Sequence, residues 1–299
     1  MTTSTQKLAM VQVDVFTDRA LTGNALAVFL DGRGLSTEQM QALAKETNLS
    51  ETTFILPGDP AVERDRGVRV CIFTVQEELP FAGHPTLGTA FVLRGTSRVP
   101  EIRLDLKVGT VPVRFEDRPG QVAFGEMTQK NPEFGLIHDA ENVAQATGLR
   151  VEDFDPGVPI QTVSTGVPFT IAALRSLRTL QNLRLDLNRA DEYLAPGGGK
   201  FFYFVSRGTV DAKARLHARM LFYNGEDPAT GSAAGCCAAW MVAHGVAASD
   251  EQVMIEQGLE MRRPSRIFVR ATKKDNQVIN VRVGGNCVEV LRGEVTLVS

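Results

Sequence analysis

Cysteine is scarce in this chain: Cys71, Cys236, Cys237 and Cys287 are the only four, and no two stand in C-x-x-C spacing. A disulfide framework and a zinc site both need more regular cysteine usage than this. Long hydrophobic runs are missing as well. A helix crossing a bilayer takes about eighteen or more consecutive apolar residues, and no such stretch occurs. The first residues, MTTSTQKLAMVQVDVF, have no long apolar core of a secretory signal, so a cytoplasmic protein is expected. There is no excess of basic charge either. Lys plus Arg number 32 against 35 Asp plus Glu, a formal net charge of -3. Nucleic-acid binding needs a dense basic stripe, so no nucleic-acid partner is expected. The glycine fingerprints of nucleotide binding are absent too. EDPATGSAAG has no lysine after its glycines, PGGGKF is flanked by the wrong residues for a P-loop, and no G-x-G-x-x-G occurs. No clustered His/Cys/Asp/Glu ligand set appears, so no metal is expected.

What is present reads as a two-part α+β chain. VQVDVF alternates as a half-buried strand does, and ALAVFL is a short continuous apolar run. Ser36 and Gln39 have capping-box spacing and open a helix over TEQMQALAKETN. ETTFIL and VRVCIFT follow as strands. HPTLGTAFVLR predicts a helix with Pro85 in its first turn, and IRLDLKVGTVPVRFE a hairpin around Gly109. The second half repeats these types: strands PIQTVSTGVPFTIAAL and KFFYFVS around a helical SLRTLQNLRLD, a strand ARLHARML, then a helix over ATGSAAGCCAAWMVAHG and closing strands. Each half thus has one helix rich in small residues with glycine at its start, a hint of internal duplication. Turn chemistry at DRPGQ places a boundary near residue 120, giving domains 1–120 and 121–299, with the last strand free to return to the first.

Few residues could carry chemistry. The opening N–H groups of a helix have no partner within it, and the helix dipole adds positive character there. Gly231 and Ser232 could therefore receive a carboxylate, although capping by Thr230 or Ser232 is the simpler reading of that stretch alone. His84, after Gly83 at the other helix start, could stay neutral and still donate a hydrogen bond, or could be purely structural. Glu51 stands where a helix gives way to a strand. It could project into a cleft as a base, whereas a lone glutamate is more often a solvated one. Asp227 precedes Pro228, where a turn role is simplest. Cys236 and Cys237 lie too far inside their helix for activation and read as buried, inert side chains. His138 in a loop, His217 in a strand and His244 at a helix end read as structural.

Taken in order, DVFTDRALTGNALAVF, NLSETTF, ELPFAGHPTLGTA, ARLHARM, EDPATGSAAG and QGLEMRRPSRIFV resemble the phenazine-biosynthesis isomerase (PhzF-like) family, which shares the diaminopimelate epimerase fold. That resemblance implies two pseudo-symmetric domains, each a mostly antiparallel sheet rolled around a central helix, with the active site between them. It implies Glu51 as general acid/base with His84 and Asp227 in support, and substrate binding by Gly83, Gly231 and Ser232. It implies no metal and no cofactor, a small-molecule carboxylate substrate, and a homodimer. The related epimerases carry a cysteine before each of these glycines; here Ala82 and Thr230 stand there, which disfavours a two-thiol mechanism. The expected activity is a proton shift on a small carboxylic or amino acid. The alternative is a non-catalytic binding protein that keeps the fold.

Overall fold

The computed structural model describes residues 5–117, 119–120, 122–222 and 225–298, so Arg118 and Gln121 of the DRPGQ turn lie outside the described residues. In chain order the strands are β1 (Thr5–Val15), β2 (Asn24–Phe29), β3 (Glu51–Leu56), β4 (Val68–Phe73), β5 (Glu78–Leu79), β6 (Glu101–Leu106), β7 (Gly109–Glu116), β8 (Phe124–Thr128) and β9 (Glu133–His138). They continue as β10 (Ile160–Ser164), β11 (Pro168–Leu174), β12 (Phe201–Ser206), β13 (Leu216–Arg219), β14 (Leu221–Phe222), β15 (Gly225–Glu226), β16 (Val253–Gln257), β17 (Ser265–Lys274) and β18 (Gln277–Val298). The α-helices are α1 (Thr37–Thr47), α2 (Pro60–Arg66), α3 (Gly83–Arg94), α4 (Ala140–Thr147), α5 (Leu177–Gln181), α6 (Leu187–Leu194) and α7 (Gly231–Ala243). Two compact units result, residues 1–127 with 284–299 and residues 128–283.

In the first unit the strands run β1-β2-β3-β4-β6-β7-β8-β18, and β18 pairs back onto β1 to close an eight-stranded barrel. Among the pairs whose register is described, β2 with β3 and β4 with β6 are parallel and the others antiparallel. Closure leaves no free edge for these strands. Helix α3 packs against β1, β2, β3, β6 and β7. Its first eight residues, Gly83 to Ala90, are all buried, the signature of a helix enclosed by its sheet rather than lying on it. A second cluster lies under α1, where Met40, Leu43 and Ala44 meet Phe29, Phe54 and Phe73. Phe29 and Phe54 stack at 4.8 Å, and Phe73 meets Phe54 edge-on at 5.7 Å. Both bonds of the expected capping box form: the Gln39 amide donates to Ser36 Oγ at 3.2 Å, and the Ser36 amide donates to Gln39 Oε1 at 2.9 Å.

The second unit orders its strands β9-β10-β11-β12-β13-β16-β17-β18. Along β17, Ser265, Ile267, Val269 and Ala271 are buried and alternate with outward residues, so its inner face has a period of two. Helix α7 packs on β10, β11 and β17, and every residue from Gly231 to Val242 is buried. Small side chains let the helix approach the strands closely, and Trp240 donates its Nε1–H to the Pro159 carbonyl at 3.0 Å. Two expectations need correction. SLRTLQNLRLD is not one helix: α5 begins at the Ser176 cap and stops at Asn182, and α6 starts at a second cap, Asp186. Each cap side chain accepts an N–H of the turn that follows it, and two caps ten residues apart define two short helices. His138 is not in a loop but ends β9, with Nδ1 3.0 Å from Tyr193 Oη and Nε2 2.8 Å from Thr162 Oγ1.

Candidate active site

Four elements of the first unit converge on Glu51 and His84. Between β1 and β2 the chain turns through Gly23, at φ +69°, where a Cβ would lie 2.4 Å from the Val15 carbonyl. Glycine is required there. Asp14 steadies this turn by accepting the Leu21 N–H at 2.7 Å. Asn24, the next residue, opens β2 and is 1% exposed. Glu51 opens the parallel neighbour β3 with its Cα opposite Leu26 and is 8% exposed. His84, the second residue of α3, is 2% exposed, with Nε2 3.6 Å from Glu51 Oε2 and Nδ1 3.1 Å from Asn24 Nδ2.

These contacts fix the chemistry of the imidazole. Burial lowers the His84 pKa from its ordinary 6.5 to about 3, so the ring is neutral at physiological pH. An amide nitrogen can only donate, so Nδ1 accepts from Asn24 and the one ring proton resides on Nε2. His84 thus holds an N–H toward the Glu51 carboxylate without being a cation. The 3.6 Å separation is therefore no ion pair. A neutral donor beside a buried carboxylate suits proton transfer, because neither group is locked to the other by full charge. Helix α3 adds backbone N–H groups, since its N-cap is Ala82, which has no side chain able to cap them.

In the second unit the start of α7 is uncapped for a different reason. Its N-cap is Thr230, a residue type that ordinarily caps, yet no side-chain cap bond forms. The Thr230 hydroxyl donates instead to Asp227 Oδ2 at 2.6 Å. Asp227 is 3% exposed, and its N–H donates to the Met220 carbonyl at 2.9 Å. The preceding hairpin is gripped by Arg219, whose Nε and Nη2 donate to Glu226 at 2.8 and 2.7 Å. Arg219 Nη1 also donates to the carbonyls of Leu180, Gln181 and Leu183. Gln129, just after β8, donates its Nε2–H to the Gly231 carbonyl at 3.0 Å, fixing the first turn of α7. Gly231 and Ser232 are buried at that turn.

The remaining polar residues are accounted for locally. His217 bonds Glu256 through Nδ1 at 2.8 Å and Glu260 through Nε2 at 3.1 Å. Burial alone would lower its pKa, but the bonds to Glu260 and Glu256 outweigh it and raise it. Cys236 lies against Thr165 and the Val167 carbonyl, and burial pushes its thiol up to about 11. Burial raises Cys237 further still. Neither is a nucleophile at neutral pH. Among the described residues no cluster of three or more His, Cys, Asp or Glu is placed to hold a metal ion, and no helix is long and apolar enough to cross a membrane. Sequence reasoning missed Asn24 and the true role of Thr230. For Asn24 a signal existed, a small polar residue directly after the Thr22-Gly23 turn; nothing local marks the Thr230 hydroxyl as turned away from its helix.

Known proteins resemble the chain over nearly its whole length. The family model described as phenazine biosynthesis-like protein matches residues 13–293. An uncharacterized isomerase of Mesorhizobium japonicum is 38% identical over 94% of this chain and 96% of its own. Trans-2,3-dihydro-3-hydroxyanthranilate isomerase of Pseudomonas aeruginosa is 34% identical over 96% of this chain and 99% of its own. The crystal structure of a Bacillus anthracis phenazine biosynthesis protein superposes with a TM-score of 0.85 at 25% identity, covering 97% of this chain and 99% of that one.

Proposed function

The chain belongs to the phenazine biosynthesis-like protein family, and from that premise we propose that it is a cofactor-independent isomerase that moves a proton on a small carboxylic or amino acid. Glu51 takes a proton from a carbon alpha or vinylogous to the carboxyl-bearing group. The C–H electron pair delocalises toward that group, and the same carboxyl returns a proton at the far end of the conjugated system. Atoms balance and the base is regenerated, so the reaction is an isomerisation. The Nε2–H of His84 orients the substrate or relays the proton, and Asp227 supports the site. Backbone N–H groups at Gly83, Gly231 and Ser232 bind the substrate carboxylate and stabilise the charge that develops as the proton leaves.

One observation carries the reading: a buried, neutral His84, held by Asn24 with its Nε2–H toward Glu51 at 3.6 Å. Relatives named isomerases support the reaction class. Trans-2,3-dihydro-3-hydroxyanthranilate is the natural first assay substrate, because a relative at 34% identity is named for it. Its turnover by the wild-type protein and loss in Glu51→Gln would support the proposal. Equal turnover by Glu51→Gln would remove Glu51 as the base, and binding without turnover or exchange would favour a non-catalytic binding protein.

A further inference from the structure

We propose that Gln257 is a positioning residue for substrate binding, acting through the Thr230 hydroxyl to hold the start of α7 open for an anion. The inference rests on the proposed function, in which that helix start receives the substrate carboxylate.

Gln257 is the last residue of β16 and is 0% exposed. Its amide spends its whole hydrogen-bonding capacity around the turn that leads into α7. Nε2 donates to the Asp227 carbonyl at 2.7 Å and to Thr230 Oγ1 at 2.9 Å. Oε1 accepts the Thr230 N–H at 3.2 Å and the Tyr203 O–H at 3.0 Å. Two donors and two acceptor sites are all a primary amide offers. The next residue, Gly258, sits at φ +78° where a Cβ would lie 2.5 Å from the carbonyls of both Pro228 and Arg263, so strand end and turn are pressed together. Ser265 adds a bond from its hydroxyl to the Pro228 carbonyl at 2.8 Å.

The consequence falls on one proton. Because Gln257 Nε2 donates to Thr230 Oγ1, the hydroxyl cannot point its own hydrogen at Gln257. It points that hydrogen at Asp227 Oδ2, 2.6 Å away. A hydroxyl held on both sides in this way does not turn to accept from the N–H groups of its own helix, and α7 has no side-chain cap. Thr230 thus occupies the cap position without capping. The opening N–H groups stay available to an exogenous anion, and Asp227 is held in the same network.

Two probes test this: anthranilate binding, as a carboxylate that need not react, and steady-state turnover of the assay substrate named above. Gln257→Leu frees the Thr230 hydroxyl to cap α7 and should weaken anthranilate binding and raise KM by about ten-fold, with kcat changed by less than about three-fold, the scale of a helix-terminus interaction. Thr230→Val has no hydroxyl to cap with and should lose less than about three-fold. Thr230→Ser keeps the hydroxyl and should retain wild-type values. A purely structural role of Gln257 predicts instead that adding Thr230→Val to Gln257→Leu restores nothing. The double variant Gln257→Leu/Thr230→Val should bind anthranilate more tightly than Gln257→Leu alone, because no hydroxyl remains to turn onto the helix. If Gln257→Leu does not fold, Gln257→Met, which also lacks the donor, takes its place alone and with Thr230→Val. Wild-type anthranilate affinity in folded Gln257→Leu, no recovery in the double variant, or no anthranilate binding by the wild-type protein would each overturn the proposal. Glu51→Gln separates the two claims: its normal turnover would sink the base assignment, while weakened anthranilate binding in Gln257→Leu, recovered in the double variant, would still uphold this one.

Discussion

Replacing Asn24 puts the tautomer argument under direct strain. In the native protein the Asn24 amide donates to His84 Nδ1 at 3.1 Å, and both residues are buried. Asn24→Leu removes the donor and leaves Nδ1 without its partner. A buried acceptor stripped of its bond costs about 1–3 kcal/mol, and the ring is then free to carry its proton on either nitrogen. If all of that cost appears in the transition state, kcat falls by about five- to 140-fold, at 1.4 kcal/mol per decade. Asn24→Asp is the sharper variant. A carboxylate only accepts, so Nδ1 must carry a proton, and a neutral ring then turns a bare lone pair toward Glu51. A misplaced general acid loses about 10²- to 10⁴-fold, so Asn24→Asp should be worse than Asn24→Leu although it is nearly isosteric. Nitrogen-15 NMR of the His84 ring reads the tautomer directly, and steady-state kinetics reads its consequence. Wild-type kcat in Asn24→Asp, or an Nδ1–H tautomer in the native protein, would refute the reasoning.

Two other outcomes follow from the same structure. Burial raises the Cys236 thiol to about 11 and Cys237 higher still, so thiol alkylation of the folded protein should be slow, and Cys236→Ala/Cys237→Ala should keep kcat within about two-fold. Folded His84 has a pKa near 3 against an ordinary 6.5, so between those values the unfolded chain binds a proton that the folded one does not. Its contribution is complete above about pH 6.5 and is lost as pH falls toward 3, at most about 1.4 kcal/mol per pH unit. Urea titrations from pH 7 to 4 should show His84→Gln losing less stability with acid than the wild-type protein. His217 has the opposite sign, its pKa being raised, so what it adds is present below pH 6.5 and lost as pH rises through its folded value.

How much of this could be read beforehand differs from residue to residue, and the differences are physical. The α1 cap was legible because Ser36 and Gln39 are three residues apart and the bonds they make are local. Helices α3 and α7 were legible from their small, apolar composition and their glycine starts. The isomerase family was legible from the ordered motifs, which the family match over residues 13–293 bears out. The split between α5 and α6 was not, because a continuous helical pattern hides a second cap at Asp186 unless that cap outranks its neighbours. Asn24 and Gln257 were invisible for another reason: each acts on a partner far away in the chain, 60 residues for Asn24–His84 and 27 for Gln257–Thr230. The cysteines drew attention by their chemistry, yet burial makes them inert. A thiol's reactivity is a property of its surroundings, which composition does not contain.

The central claim is that Glu51 moves a proton to and from carbon. The most direct measurement is deuterium incorporation into the assay substrate and its product in D2O, followed by proton NMR for the wild-type protein and Glu51→Gln side by side, with anthranilate binding as the check that the variant is folded. Label at carbon is expected with the wild-type protein, and loss of both label and turnover by at least about 10²-fold in a Glu51→Gln variant that still binds anthranilate. Exchange at the wild-type rate in that variant would contradict the claim.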